Sequence, residues 1–305
     1  MINKDFNSII ELLKAFPNEQ SCIEHLEELR WNGYVVSPFD NTSKVYKCKD
    51  NRYKCKNSGK YFNVKTKTLF DNSKIPLQKW FLAIWLVTSH RKGISSLQLA
   101  RDLDVTQKTS WFMLHRIRKC FGIENNNDLD NNVEIDETYV GGKNKNRHKN
   151  RKVEKSQGRS LKDKAPVIGM VERGGKLNAR KVDDVQERTL TSEIAKNVKE
   201  SAKLNTDEWI GYKGLAKIYS HSIINHGQGE YVNGDGHTNT IEGFWSLLKR
   251  GIIGIYHFVS KKHLQNYIDE FVFRYNTRKC NESGRINVLL SNMEVRTTYR
   301  GLIHG

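Results

Sequence analysis

Between residues 124 and 132 the chain runs ENNNDLDNN, polar and asparagine-rich with a single leucine. No other feature constrains the fold as much. Such a run has the composition of a linker, and it separates two stretches whose hydrophobic patterns call for different architectures. A chain of 305 residues suits two or three compact units, each able to bury its own core.

Before the polar run the pattern changes twice. Residues 1–30 predict an N-terminal helical segment, with Phe6, Ile9, Ile10, Leu13 and Phe16 at helical spacing and a second helix after Pro17. Residues 31–72 carry short aromatic segments (WNGYVV, KVYKC, RYKC, KYFNV) separated by turns, which predicts small antiparallel hairpins. From Lys44 to Lys67 there are nine basic residues and one acid, so this hairpin unit can face phosphate. Residues 73–123 return to helical spacing in PLQKWFLAIWLVTS, break at Gly93, and continue with Leu97, Leu99, Ala100 and Leu103 on one apolar face. The turn DVTQ follows, then a helix over Thr109–Cys120 bearing Arg116, Arg118 and Lys119. That is a helix-turn-helix pattern. An ordinary helical hairpin reads the same way, but the basic flanks favour DNA contact through those three cations.

After the polar run, strand and helix alternate from 130 to 280, and 281–305 reads as a C-terminal tail. Along a strand at 133–136, Val133 and Ile135 share one face and Glu134 and Asp136 the other. PVIGMVERGGKLNARKV predicts a hairpin turning at Gly174 and Gly175, VQERTLTSEIAKNVKESA a helix, AKLNTD a strand ending in Asp207, and HSIIN a further strand. On the helix TIEGFWSLLKRG, Glu242 and Lys249 are two turns apart and share a face. Acids at two strand ends and on a later helix fit an α/β ribonuclease H-like domain. They also fit the chemistry of phosphodiester cleavage, which needs hard oxygen ligands around divalent ions. Asp183 and Asp184 compete for the second position, but their place before the long helix favours capping.

Lysine and arginine number 51 against 34 acids, a net charge of +17 and a pI near 9.6, which favours a polyanionic partner. The longest apolar run, Trp80 to Val87, falls far short of the roughly 20 residues of a membrane span. The stretch MINKDFNSIIELLKAF lacks the apolar core of a secretory signal. Five scattered cysteines form no CxxC pair and suit a reducing compartment. A cytoplasmic, DNA-associated protein with no membrane partner is expected.

Five segments carry a resemblance: FDNSKIPLQKWFLAIWL, KGISSLQLARDLDVTQKTSWFMLHRIR, EIDETYVGGK, TDEWIGYKGL and HTNTIEGFWSLLKRGIIGIYHFVSKKHLQNYIDEFVFRYN. Through nearly all of residues 30–280 the chain resembles the insertion-sequence transposases of the ISXO-like type, which join a zinc ribbon to a DDE domain. The resemblance implies metal-binding acids at Asp136, Asp207 and Glu242, with Mg²⁺ or Mn²⁺ as the ion. It also implies a catalytic Lys249 aimed at phosphate, and it leaves open whether Glu242 or Asn239 completes the ligand set. His237 and Arg250 belong with the DNA-contacting residues. The partners it implies are element terminal repeats and target DNA, bound by a homodimer or higher oligomer.

One departure is plain. Where the ribbon would present two CxxC pairs, the sequence has Ser37 to Asp40 and Cys55 to Ser58. Structural zinc wants four soft or borderline ligands, so no zinc is expected. The run 141–164 carries ten basic residues against two acids, and its position after the Asp136 strand makes Lys143, Lys145, Arg147, Lys149, Arg151 and Lys152 expected backbone contacts. Two rivals share most of these features: a transposase-derived DNA-binding protein without activity, and a nuclease of the same fold that cuts without joining.

Overall fold

The structure, a computed structural model, describes residues 5–141, 148–154, 160–224 and 237–304. It divides into two units, one made of Met1–Phe121 with Thr277–Gly305, the other of Gly122–Asn276. In chain order the first unit contains α1 (Ile9–Ala15), α2 (Glu19–Trp31), β1 (Val45–Lys47), β2 (Tyr53–Cys55), β3 (Tyr61–Phe62), α3 (Leu77–Ser89), α4 (Ser96–Leu103) and α5 (Gln107–Cys120). The second contains β4 (Asn132–Val140), β5 (Ala165–Glu172), β6 (Leu177–Lys181), α6 (Glu187–Asn197), β7 (Lys203–Asp207), β8 (Ser220–Ile224), α7 (Asn239–Gly251) and α8 (Leu264–Asn276). The chain then returns to the first unit with α9 (Glu282–Ser291) and α10 (Tyr299–His304).

In the first unit α3 is apolar almost all round, burying Leu77, Trp80, Phe81, Ala83, Ile84, Leu86 and Val87. A helix of that kind belongs at a core, and α1, α2, α4, α5 and α9 all pack against it. The segments read separately as 1–30, 31–72, 73–123 and 281–305 fall within this one unit, apart from Gly122 and Ile123. The last of these is no loose tail: Leu69 donates its amide to the Met293 carbonyl, and Ile286, Leu289 and Leu290 are fully buried.

The pair α4 and α5 is set by local chemistry. Ser95 caps α4 by accepting from the Gln98 amide, Asp104 ends it in a left-handed turn at φ 49°, and Thr106 caps α5 by accepting from the Thr109 amide. Leu99, Ala100 and Leu103 face inward as the pattern predicts, while Leu97 is exposed. Arg116 and Arg118 correct the expectation of DNA contact, because both are buried. Arg116 donates to the carbonyls of Leu69, Asp71 and Thr297, so its guanidinium ties three chain segments together. Lys119 is exposed.

The hairpins form a three-stranded antiparallel sheet ordered β1-β2-β3. At this sheet the hydroxyls of Ser37, Ser43 and Ser58 hydrogen-bond the buried Cys55 thiol and pull its pKa down to about 6. Asp40 accepts instead from Asn57 and Thr42.

The second unit is built on a five-stranded sheet ordered β6-β5-β4-β7-β8. β4, β5 and β6 pair antiparallel, whereas β7 runs parallel to β4 and β8 parallel to β7. Alternation along β4 splits the core. Val133 and Ile135 pack with Ile168, Met170, Leu190, Ile194 and Leu204 on the α6 face, and Val140 packs with Ile241, Phe244, Trp245, Ile268 and Phe271 on the α7 and α8 face. The polar run 124–132 is not the linker its composition suggests. Asn125 is fully buried, donating to the Ala179 carbonyl and to Asp269 and accepting from the Ala179 amide. Leu129 is buried and bridges to Val198. Asparagine serves here because its amide satisfies backbone donors and acceptors that an apolar residue would strand.

Candidate metal centre

The two central strands bring the first two acids together. The parallel ladder of β4 and β7 runs from Asn132–Lys203 to Glu134–Asn205, and carrying that register two residues further brings Asp136 beside Asp207. Among the described residues, Asp136, Glu137 and Asp207 form a group in which one carboxylate oxygen from each lies within 4.8 Å of the other two.

Hydrogen bonds fix each of these side chains. Asp136 Oδ1 accepts from the Glu137 amide at 2.8 Å and Oδ2 from the Trp245 indole at 3.0 Å. Asp207 Oδ1 accepts from the Trp209 amide at 3.1 Å. Glu137 Oε2 accepts at 2.8 Å from the hydroxyl of Tyr212, which is buried. Burial, with the charges of Glu137 and Asp207, pushes the Asp136 carboxyl up to about 7. Burial and the neighbouring Glu137 likewise raise the Tyr212 hydroxyl well above its ordinary range, so Tyr212 remains a donor. Three converging carboxylates, one of them held back from ionising by burial and then by its neighbours, fit a divalent cation: hard oxygen donors match it, and its charge removes the repulsion.

Trp245 reaches Asp136 because Gly169 lies under it. Gly169 pairs with Asp136 across the β4–β5 ladder, and a methyl group there would sit 2.5 Å from Trp245 Cζ2 and 2.8 Å from Ile241 Cδ1. Only a residue without a side chain lets the indole lie on the sheet.

A second carboxylate anchors α7. Glu134 is fully buried and accepts from the Thr240 amide, the Thr240 hydroxyl and the Ile241 amide at 2.9–3.1 Å. The helix's own first flanking residue, Thr238, provides no side-chain cap. A strand residue therefore does the capping, where negative charge also suits the helix dipole. Arg173 Nε donates to Glu134 at 2.8 Å and its Nη2 to the His237 carbonyl at 2.8 Å, and His237 Nδ1 lies 3.1 Å from Glu134 Oε1.

The other residues expected from the sequence are distributed as follows. Glu242 stands exposed on the first turn of α7, outside the trio, where its Oε1 accepts from the Thr238 hydroxyl at 3.1 Å. Asn239 is exposed at the start of the same helix. Lys249 lines a cavity of about 390 Å³ together with Tyr139, Lys164, His257 and Phe258. Arg250, Lys149 and Lys152 are exposed. Lys143, Lys145, Arg147 and the side chain of Arg151 lie outside the described residues. Asp184 accepts from the Gln186 amide in the turn just ahead of α6, but no side chain caps that helix at its N-cap residue.

Sequence reasoning passed over Glu137, Glu134, Tyr212 and Trp245. Alternation sends Glu137 to the face opposite Asp136, but β4 pairs with β7 only as far as Glu134. Its pairing with β5 continues to Val140 and keeps Glu137 on the face of Tyr212, but on the β7 side no ladder pair beyond Glu134 stands between the ends of the two carboxylates. Glu134 was signalled by sharing the face of Asp136.

The unit that carries this group matches, over residues 128–276, the model of the ISXO2-like transposase domain, and the chain belongs to that family of transposases. Among individual proteins, it is 30% identical over 275 residues to the uncharacterized protein in transposable element ISH50 of Halobacterium salinarum. The alignment covers 86% of this chain and 92% of that one. Among the described residues no helix is long and apolar enough to cross a membrane.

Proposed function

We propose that this transposase cleaves DNA at the ends of its element and joins the freed 3′-hydroxyl to target DNA, with both steps at one acidic centre in a ribonuclease H-like domain. The observation that carries the reading is the convergence of Asp136, Glu137 and Asp207 within 4.8 Å. Asp136 and Asp207 are the two strand acids of the DDE reading, and Glu137 adds a third oxygen donor. Glu242 or Asn239, both on the first turn of α7, would complete the set as the helix approaches bound DNA. A Mg²⁺ or Mn²⁺ ion held there would polarise the phosphate and lower the pKa of a nucleophilic water or hydroxyl.

The chain's own groups have separate tasks. Tyr212 and Trp245 donate to Glu137 and Asp136 and hold both carboxylates in position. Glu134 fixes the start of α7, and so the placement of Glu242, Asn239 and Lys249. Lys249 and Arg250, exposed on the last turns of α7, supply positive charge to a phosphate backbone. A helix-turn-helix role for α4 and α5 would bring the duplex to this centre, with Lys119 as its exposed cation.

The test is nicking of a labelled element end in Mg²⁺ beside gel-shift binding. Asp136→Asn, Asp207→Asn and Glu242→Gln are expected to bind DNA like the wild type and to lose nicking and strand transfer. Carboxylate variants that nick normally overturn the site assignment, and a wild type that binds but never nicks overturns the enzymatic reading. Nicking without joined product makes the protein a nuclease.

A further inference from the structure

The three-stranded sheet presents a face that the metal centre does not use. Its register places Tyr46 of β1 opposite Lys54 of β2, and Lys54 opposite Tyr61 of β3. One row across the sheet therefore reads tyrosine, lysine, tyrosine on a single face. The opposite face buries Tyr53, Cys55 and Phe62. Tyr46 and Tyr61 are 44% and 55% exposed, and each ring holds cations: Lys44 Nζ lies 5.5 Å from the Tyr46 centroid, and Arg52 Cζ and Lys54 Nζ lie 5.8 and 5.6 Å from that of Tyr61. The single acid of residues 44–67, Asp50, meets Arg52 at 3.6 Å, with both side chains more than half exposed. Such a pair neutralises little.

We infer that this face is a second DNA-binding site, on which Lys44, Arg52 and Lys54, held in place by Tyr46 and Tyr61, grip the phosphate backbone of duplex DNA without regard to sequence. The inference takes its polyanion from the transposase family but does not depend on the acidic centre. Cations gathered with one acid among them repel each other until an anion arrives. Protection of a sheet edge does not account for them all, because Lys54 belongs to the central strand, which is paired on both sides, and Arg52 directly precedes that strand. The rings give the long side chains apolar support and restrict them before binding, so less entropy remains to be lost on the phosphate. The ring faces are already occupied by cations, which favours backbone contact over stacking on unpaired bases.

The test uses the full chain without divalent ions. Fluorescence anisotropy is measured with a random-sequence duplex of about thirty base pairs, and with one of its single strands, across a series of salt concentrations. Each phosphate contact contributes roughly 0.9 to the slope of log affinity against log salt for duplex DNA. The triple variant Lys44→Gln/Arg52→Gln/Lys54→Gln is therefore expected to flatten that slope by about 2 to 3 and to weaken duplex binding more than tenfold. Lys44→Arg/Lys54→Arg should keep the wild-type slope. Tyr46→Leu/Tyr61→Leu should keep the slope and lose about 2- to 5-fold in affinity per ring. Circular dichroism of each variant confirms that the exposed substitutions leave the fold intact.

A triple variant with the wild-type slope overturns the inference. So does a tyrosine variant that loses single-strand binding more than tenfold while duplex binding is unchanged, since the face would then be a stacking platform. A wild type that binds with a steep slope yet never nicks would sink the cleavage reading and leave this one standing.

Discussion

Asp136→Asn should turn the cost of a carboxylate buried among other acids into a measurable change in stability. The wild-type carboxyl titrates near 7 in the folded protein and at 3.8 ordinarily. A folded pKa raised above the unfolded one stabilises most below the lower value, and the contribution disappears as pH rises through the upper value. Full ionisation therefore costs the folded state up to about 4 kcal/mol, of which about 1.5 has gone by pH 5 and about 2.5 goes between pH 5 and 8. Asparagine removes this dependence but brings its own penalty. Asp136 accepts from two donors, the Glu137 amide and the Trp245 indole, and a carboxamide has one oxygen to offer, at a cost of about 1–3 kcal/mol at every pH. The variant should melt close to or below the wild type at pH 5 and above it by pH 8. The relative movement is on the order of 5–10 °C, at roughly 2–4 °C per kcal/mol for a domain of this size. Calorimetric melts of both proteins in chelator across pH 5–8 read the difference directly, and comparing the pair cancels the other titrating groups. Mg²⁺ should then raise the wild-type midpoint by mass action and leave the variant nearly unmoved. Melting curves that run parallel from pH 5 to 8 would refute the reasoning.

Three further outcomes follow from particular contacts. Gly169→Ala should displace Trp245 from the sheet, break its bond to Asp136 and destabilise the second unit by about 1–3 kcal/mol, seen as a loss of tryptophan near-ultraviolet ellipticity; an unchanged spectrum counts against the contact. Glu134→Gln should cost about 3 kcal/mol by leaving Arg173 and the α7 amides poorly matched, and urea melts showing less than 1 kcal/mol would remove Glu134 as the anchor of that helix. Protein purified without chelator should carry no stoichiometric zinc by elemental analysis, because Cys55 is surrounded by hydroxyls and Asp40 is turned to Asn57; one zinc per chain would show that the ribbon still works as a metal site.

What could be read from the sequence was what repeats or terminates. The alternation of Val133, Glu134, Ile135 and Asp136, the glycine pair at the β5–β6 turn and the spacing along α3 and α7 each report a local period that the backbone obeys. Three-dimensional neighbours could not be read this way. Arg116 and Arg118 looked like solvent-facing cations because charge normally stays in water, yet Arg116 is satisfied by carbonyls as far away as Thr297. The asparagines of 124–132 looked like a linker because composition cannot tell an amide in water from one bonded to the Ala179 backbone. Glu137 was hidden by the alternation rule, which assigns it to the opposite face from Asp136 but does not say how near two carboxylates come where the β4–β7 pairing ends.

The return of the chain to its first unit sets an order of assembly. Residues 277–305 are synthesised after the whole of the second unit, and the first unit needs them: Arg116 bonds to Thr297 and the Leu69 amide to Met293. All of the second unit, Gly122–Asn276, has been made by then, and domains generally fold as units once their chain is complete. The half of the molecule whose residues come first is therefore the half that must wait. Until α9 docks on α3, a growing chain already holds the acidic centre in one piece while the unit bearing the tyrosine-and-lysine sheet is still unfinished.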